Sequence, residues 1–212
     1  MGHVCTVFES LATPIEHILQ ATPDIIGNPE ALKRSQDALA AINHPRSPIG
    51  KNRPCIIAST VTATTGVVQL WTMGTFCKLP YHLIPRIYRP FLLPVSPNPH
   101  KSSLSHFHTH PEWNNQHQWV IIRRFRSTRP LKGLWPRARF PPSTPNGEAI
   151  PDPNVVGNLA VYTVPVDTMS WLNELERSML EEWSTLCMND PNYALECDME
   201  FRVSICCSSS PS

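Results

Sequence analysis

The sequence predicts an α+β protein in which a small β-barrel carries helices at its N-terminal end and an amphipathic helix at its C-terminal end. Residues 51–76 are rich in β-branched side chains and are typical of a hairpin, with strands at 54–61 and 67–73. Residues 167–186 repeat apolar side chains at three- and four-residue spacing, the pattern of a helix that packs one face on a core. The 23 prolines against eight glycines favour short elements joined by rigid connections.

These elements divide the chain into four predicted parts. Residues 1–43 are predicted to be an N-terminal helical appendage, and residues 44–165 a β-barrel domain with a proline-rich insertion at about 78–115. Residues 166–190 are predicted to be the C-terminal helix, packed on the barrel. Residues 191–212 carry a weaker pattern and are expected to form a flexible tail.

Shorter patterns supply the remaining elements. Residues 14–20 and 29–42 read as the helices of the appendage, the second with Asn28 as its N-cap. Residues 118–125 form an apolar run suited to a buried strand, and residues 158–164 resemble a further strand.

The cysteines and the hydropathy indicate a soluble, cytoplasmic protein. None of the seven cysteines belongs to a CxxC pair, which favours reduced thiols over a disulfide framework. No window is long and apolar enough to span a bilayer. The opening MGHVCT fits the pattern for N-terminal acylation, so a lipid anchor through Gly2 and Cys5 is an alternative to an ordinary frayed terminus.

Charge is distributed very unevenly along the chain. Residues 38–146 contain 14 lysines and arginines and a single acid, Glu112. Residues 1–37 contain two bases and five acids, and residues 148–212 contain two bases and eleven acids. The basic centre would attract a polyanion such as single-stranded RNA. The alternative is a solvated sheet face that the acidic C-terminal helix neutralises.

Three alternating histidines form the first candidate site. His106, His108 and His110 would share one face of a strand, where imidazoles could bind zinc or transfer protons. A polar loop with histidines of no joint function is the alternative. A zinc hydrolase built on this cluster is therefore one functional hypothesis, although the sequence lacks the second half of a metal signature.

A basic and aromatic segment forms the second candidate site. Guanidinium groups pair with phosphates and aromatic rings stack on unpaired bases, so the segment is predicted to bind RNA. The alternative is an exposed sheet edge that charge protects from aggregation. The predicted RNA-binding residues are Arg123, Arg124, Arg126, Arg129, Lys132, Trp135, Arg137 and Arg139.

Arg53 is the third candidate. It directly precedes Pro54, where the first strand of the hairpin begins, and the second strand ends opposite it in Thr72, Gly74 and Thr75. A cation beside hydroxyls and backbone amides could hold a phosphate. The alternative is an arginine that only satisfies loop carbonyls.

Three segments resemble the PemK/MazF-type ribonuclease toxins. NRPCIIAS looks like the family's RPxLVxS strand, GVVQLWTMGT its next strand, and QWVIIRRFRST a later strand that ends in R-T. The resemblance implies an SH3-like barrel, with Arg53 as the catalytic arginine and Thr72 or Thr75 as its hydroxyl partner. The family's opening glycine-aspartate strand is missing from the sequence, and Arg129 and Pro130 replace the aspartate after R-T.

RNA cleavage of this kind would need no metal or other cofactor. Arg53 would stabilise the phosphorane, Thr72 or Thr75 would position the phosphate, and His108 or His110 would carry the proton. A non-catalytic module that binds nucleic acid or protein is the main alternative. The expected partner is single-stranded RNA or another polyanion, and self-association as a homodimer is left open.

Overall fold

A computed structural model describes residues 2–44, 47–60, 68–100, 106–135 and 161–208. These residues form an α+β fold, as predicted, with one antiparallel sheet of eight strands and five helices. The strands are β1 (Gly2–Glu9), β2 (Lys51–Thr60), β3 (Val68–Gly74), β4 (Leu92–Pro94), β5 (Trp119–Ile121), β6 (Phe125–Ser127), β7 (Leu131–Leu134) and β8 (Thr163–Val164). The helices are α1 (Ala12–Leu19), α2 (Pro23–Ile26), α3 (Pro29–Asn43), α4 (Val166–Asn189) and α5 (Tyr193–Ser208).

Among the described residues, the sheet is not closed into a barrel. Its order is β4-β5-β3-β2-β1-β7, with β6 also paired to β3 and β8 also paired to β1. Within the described part of the chain, β6 and β7 share no ladder, although only residues 128–130 separate them. The predicted strand at 118–125 is in fact two strands, because the chain leaves the ladder between Ile121 and Phe125.

Both faces of the sheet are apolar. Strand alternation sends Ile56 and its partner Trp71 into the main core, with Met73 beside them. The next pair, Cys55 and Thr72, faces the opposite way. There it joins a smaller core of Val7, Cys55, Val68, Leu70 and Phe125. We call this second face the inner wall; Arg53 lies on it, two residues before Cys55.

The first strand was not predicted. Val4, Cys5 and Val7 of β1 are buried, and the strand pairs with β2, β7 and β8. The predicted frayed terminus is therefore wrong, because these side chains complete both cores. The Cys5 thiol is only 7% exposed and burial raises its pKa, which makes it a poor acceptor for the second acyl chain of the predicted lipid anchor.

The N-terminal helices are part of the main core and not an appendage. Ile15, Ile18 and Leu19 of α1 are buried in it. Asn28 caps α3 as predicted, its side chain accepting the Ala31 N–H at 3.1 Å. The proline-rich insertion also contributes buried side chains, among them Ile84, Ile87 and Phe91.

The last two helices, α4 and α5, also pack against the main core. The predicted C-terminal helix is confirmed as α4, which buries Leu172, Met179 and Trp183. Residues 193–208, however, form α5 where a flexible tail was predicted. Arg202 of α5 pairs with the fully buried Glu16 of α1, and this ion pair ties the helix to the core. None of the helices in the described ranges is long and apolar enough to cross a membrane.

Candidate functional site

Arg53 lies at the end of the inner wall, opposite Val7 of β1. Its Nε–H donates to the backbone carbonyl of Glu9 at 2.9 Å. In the described structure its two terminal nitrogens have no protein hydrogen-bond partner, and neither is fully buried. Burial lowers the pKa of Arg53, but a guanidinium stays protonated at any physiological pH. Arg53 is therefore an anchored, half-buried cation with two donor groups to spare.

The nearest carboxyl group is a weak counter-ion. Glu9 is 3% exposed and accepts hydrogen bonds from Ser127 and, at 3.2 Å, from Thr13. Burial raises its pKa despite these bonds and the nearby charge of Arg129. The sequence patterns did not single out Glu9, because they did not predict β1. Along β1, Glu9 alternates with Cys5 and Val7, and this spacing indicates that its side chain lies on the same face of the sheet as theirs.

A left-handed turn follows β3 at the same end of the sheet. Phe76, Cys77 and Lys78 have φ angles of 46°, 54° and 62°. A non-glycine residue in this conformation costs about 1–2 kcal/mol. The Lys78 N–H donates to the Thr75 carbonyl at 2.8 Å, and the Phe76 ring meets Tyr88 edge-on at 4.9 Å, so both contacts hold the turn.

This end of the sheet is positively charged. Cys77 and Tyr88 lie within electrostatic range of the Arg53 guanidinium, which brings the turn beside it. Lys78 in the turn and Lys51 at the start of β2 are both exposed. We call Lys51, Arg53, Thr75 and Lys78 the Arg53 site.

The two predicted hydroxyl partners have different positions. Thr72 shares the inner wall with Arg53, but it is fully buried and its Oγ1 has no hydrogen-bond partner in the described structure. A phosphate could not reach it without opening the core. Thr75 is half-buried at the end of β3 and remains available.

The predicted RNA-binding segment does not form one surface. Arg123 and Arg124 are bound to the carboxylate of Glu176 in α4, at 3.4 Å and 2.8 Å. Arg129 donates to the carbonyls of Ile42 and His44. The prediction of a single exposed arginine strip was therefore wrong for these three residues, because the Glu176 carboxylate and backbone carbonyls from distant elements hold them.

The other members of the segment differ in exposure and in their contacts. Arg126 and Lys132 are exposed, and the Lys132 ammonium lies 5.4 Å from the centroid of the Phe8 ring. Trp135 is half-buried and its ring stacks 6.5 Å from that of Trp113, so it is not a free platform for a base. Arg137 and Arg139 lie outside the described residues.

The predicted histidine cluster does not assemble. His106 contacts the Asn98 carbonyl at 2.8 Å, and no group of three potential metal ligands occurs in the described ranges. His110 exchanges backbone hydrogen bonds with Thr163, which lies opposite His3 of β1. Arg53 lies opposite Val7, roughly 13 Å further along the strand at about 3.3 Å per residue. His108 and His110 are therefore poorly placed to serve Arg53 as proton carriers.

The C-terminal helices neutralise part of the basic centre. Besides Glu176, α5 contributes Glu196 and Glu200, which bind Arg86 at 3.2 Å and 2.7 Å. The charge distribution left this neutralisation by the C-terminal helices open as an alternative to RNA binding. The ion pairs described above involve Arg86, Arg123 and Arg124 but no residue of the Arg53 site.

Comparison of the chain with protein-family models, curated proteins and solved structures finds no match.

Proposed function

We propose that the protein binds single-stranded RNA at the Arg53 site. The observation that carries this proposal is the state of the Arg53 guanidinium, anchored through Nε and with both terminal nitrogens unpartnered in the described structure and neither of them fully buried. Two parallel N–H donors match two oxygens of a phosphodiester, and charge-assisted bonds of this kind are the strong ones. Lys51 and Lys78 add charge for the neighbouring phosphates.

Binding without cleavage is the version that the geometry favours. Transesterification of RNA needs groups that remove and deliver protons within hydrogen-bond reach of the phosphate. Thr72 is buried, and His108 and His110 lie beside the far end of β1. Arg53 and Thr75 alone can hold and polarise a phosphate but provide no proton carrier.

Metal-independent cleavage of the PemK/MazF type is the second candidate. The observation in its favour is the run of three left-handed residues beside Arg53, because strained backbone concentrates at sites where function requires it. In this version Arg53 stabilises the charge that develops on the phosphorane and Thr75 positions the phosphate.

We propose that the strands of the sheet follow the arrangement of an SH3-like barrel that is left open between β6 and β7. The support for this proposal is the order β6-β3-β2-β1-β7 within the larger sheet, since β6 and β7 at its two ends are neighbours in sequence. The presence of β1 also supplies the opening strand that the sequence had not revealed.

A labelled single-stranded RNA tests the binding proposal. Losing a hydrogen bond to a charged group costs about 1.5–3 kcal/mol, so Arg53→Ala should weaken RNA binding by roughly 10- to 100-fold. Arg53→Lys keeps the charge and should lose less. Lys51→Gln and Lys78→Gln should each reduce the slope of log affinity against log salt by about one.

Arg86→Gln is the matched control, because Arg86 is already paired with two glutamates. It should leave affinity and salt slope unchanged. Equal RNA affinity of Arg53→Ala and the parent protein, with both folded by circular dichroism, would refute the proposal. Intact RNA after long incubation selects binding alone, and cleavage that survives a chelator but not Arg53→Ala selects the ribonuclease.

A further inference from the structure

A groove runs between α1, α2 and α4, on the side of the molecule where Arg123 was predicted to meet RNA. It consists of two adjoining clefts of about 320 Å³ and about 250 Å³, which share Arg123 and Leu180 in their walls. Together they fall within the range of about 300–1,000 Å³ that is usual for ligand pockets.

One end of the groove is cationic. Arg123, Arg124 and Arg177 line it, and among the described residues of its wall Glu176 is the only acid. Glu176 already accepts the Trp71 Nε1–H at 3.2 Å and the Arg124 backbone N–H at 3.1 Å. Arg177 is exposed and has no ion-pair partner in the described chain, so positive charge exceeds negative charge at this end.

Two buried polar atoms at this end lack hydrogen-bond partners. They are Nε of Arg123, a donor, and Oδ1 of Asn173, an acceptor. Both residues line the cationic cleft. Buried polar atoms without partners are rare in folded proteins and point to a ligand or water that completes them. An oxyanion could accept from Arg123, and a protonated oxygen on the same group could donate to Asn173.

The other end of the groove is mainly apolar. Ile18, Leu180, Trp183 and Met188 line it. The Trp183 Nε1–H is satisfied by Thr22 Oγ1 at 3.0 Å, so the indole offers only its ring to the cleft. Asp24 also lines this end, and its carboxylate would repel an anionic group from it.

We propose that this groove binds a small amphiphilic phosphate monoester, with its phosphate on Arg123, Arg124 and Arg177 and its hydrocarbon part along Leu180 and Trp183. Three guanidiniums fit the charge and multiple oxygens of a phosphate. The adjoining apolar cleft favours a ligand with a tail over a free phosphate ion, because burying each methylene is worth about 0.8 kcal/mol. The proposal does not depend on the Arg53 site.

Isothermal titration of the full chain with octyl phosphate, held below its micelle concentration, tests the groove. We expect saturable binding at least about tenfold tighter than that of inorganic phosphate, which lacks the hydrocarbon part, or of 1-octanol, which lacks the phosphate. Arg177→Gln should weaken octyl phosphate binding about tenfold, the loss of one charge-assisted contact. The substitution should not disturb the fold, because Arg177 is exposed and has no ion-pair partner among the described residues.

Arg126→Gln is the matched control, an exposed arginine on β6 that is not among the residues lining either cleft, and it should bind octyl phosphate like the parent. Met188→Glu tests the tail: Met188 is 75% exposed, so the variant should fold while losing octyl phosphate affinity and keeping its response to inorganic phosphate. No saturable octyl phosphate binding, equal affinity for octyl phosphate and inorganic phosphate, or an unchanged Arg177→Gln variant would each overturn the proposal.

Discussion

The guanidinium of Arg124 lies over the indole of Trp71, 5.6 Å from the ring centroid, and both side chains bind the same carboxylate. That carboxylate belongs to Glu176 of α4, whose side chain is 5% exposed. One glutamate thus connects the last third of the chain to β3 in the middle of the sheet and to the segment before β6.

Removal of this carboxylate should be strongly destabilising. Glu176→Ala leaves Arg124, Arg123 and the Trp71 Nε1–H without their acceptor, and breaking a buried ion pair from one side costs about 3–5 kcal/mol. Glu174→Ala, at an exposed position on the same helix, should cost less than about 0.5 kcal/mol. Urea denaturation measures both, and similar values for the two variants would contradict the role of Glu176.

Arg202 should be equally important for α5. It forms a bidentate ion pair with Glu16, which is 0% exposed, and also binds Asp198 at 2.8 Å. Arg202→Ala strands the Glu16 charge in the core, so we expect a loss of about 3–5 kcal/mol in the free energy of unfolding.

The exposed pair Lys33–Asp37 provides the comparison for that loss. Lys33→Ala should change the free energy of unfolding by less than about 1 kcal/mol, since surface ion pairs contribute little. Hydrogen exchange should also be slow in α5 of the parent protein and fast in Arg202→Ala. Fast exchange throughout α5 in the parent would mean that the ion pair does not hold the helix.

Glu9 should make stability depend on pH. Burial raises its pKa in the folded state, so between the ordinary pKa of a glutamate and this higher value the folded protein binds more protons than the unfolded one. Stability is therefore full below this window and falls as pH rises through it. Glu9→Gln cannot ionise, so its stability relative to the parent should rise across the same window. Parallel pH profiles of the two proteins in chemical denaturation would show that Glu9 does not titrate in this way.

Cys77 should be the fastest-reacting thiol among Cys5, Cys55, Cys77, Cys187 and Cys197. It is exposed, whereas the other four are buried. Burial also raises the pKa of Cys187 and of Cys197 to about 11, which further depletes their thiolates. Brief iodoacetamide treatment of the native protein followed by peptide mass spectrometry should label Cys77 first. Labelling of Cys55 at the same rate would mean that the inner wall opens readily.

The elements with regular local patterns were predictable. The three- and four-residue spacing of Leu172, Met179 and Trp183 predicted α4 almost to its ends, and the β-branched run predicted β2 and β3. β1 was missed because eight residues at the start of a chain carry little periodic signal, although half of them are buried. α5 was missed because its acids and bases alternate with apolar residues on several faces, and its fixation depends on Glu16.

The candidate site could be predicted only in part. Arg53 and Thr75 follow from the order of residues along a hairpin, and the structure keeps them at one end of the sheet. The ion pairs of Arg123 and Arg124 could not be predicted from local sequence, because their partner Glu176 is more than fifty positions away. A run of arginines predicts positive charge, and only tertiary packing decides which of them pair with a carboxylate and which surface they line.

The position of β1 also affects how the protein emerges from the ribosome. Its pairing with β2 becomes available once residues 51–60 have been translated, but β7 and β8 follow much later, at residues 131–134 and 163–164. Until those strands are translated, a nascent chain must carry Val4 and Val7 without their final neighbours. Long-range pairing of this kind slows folding and prolongs the exposure of hydrophobic surface that can aggregate. Refolding of the full chain should therefore be slow, and ribosome-stalled intermediates that end before α4 should recruit chaperones.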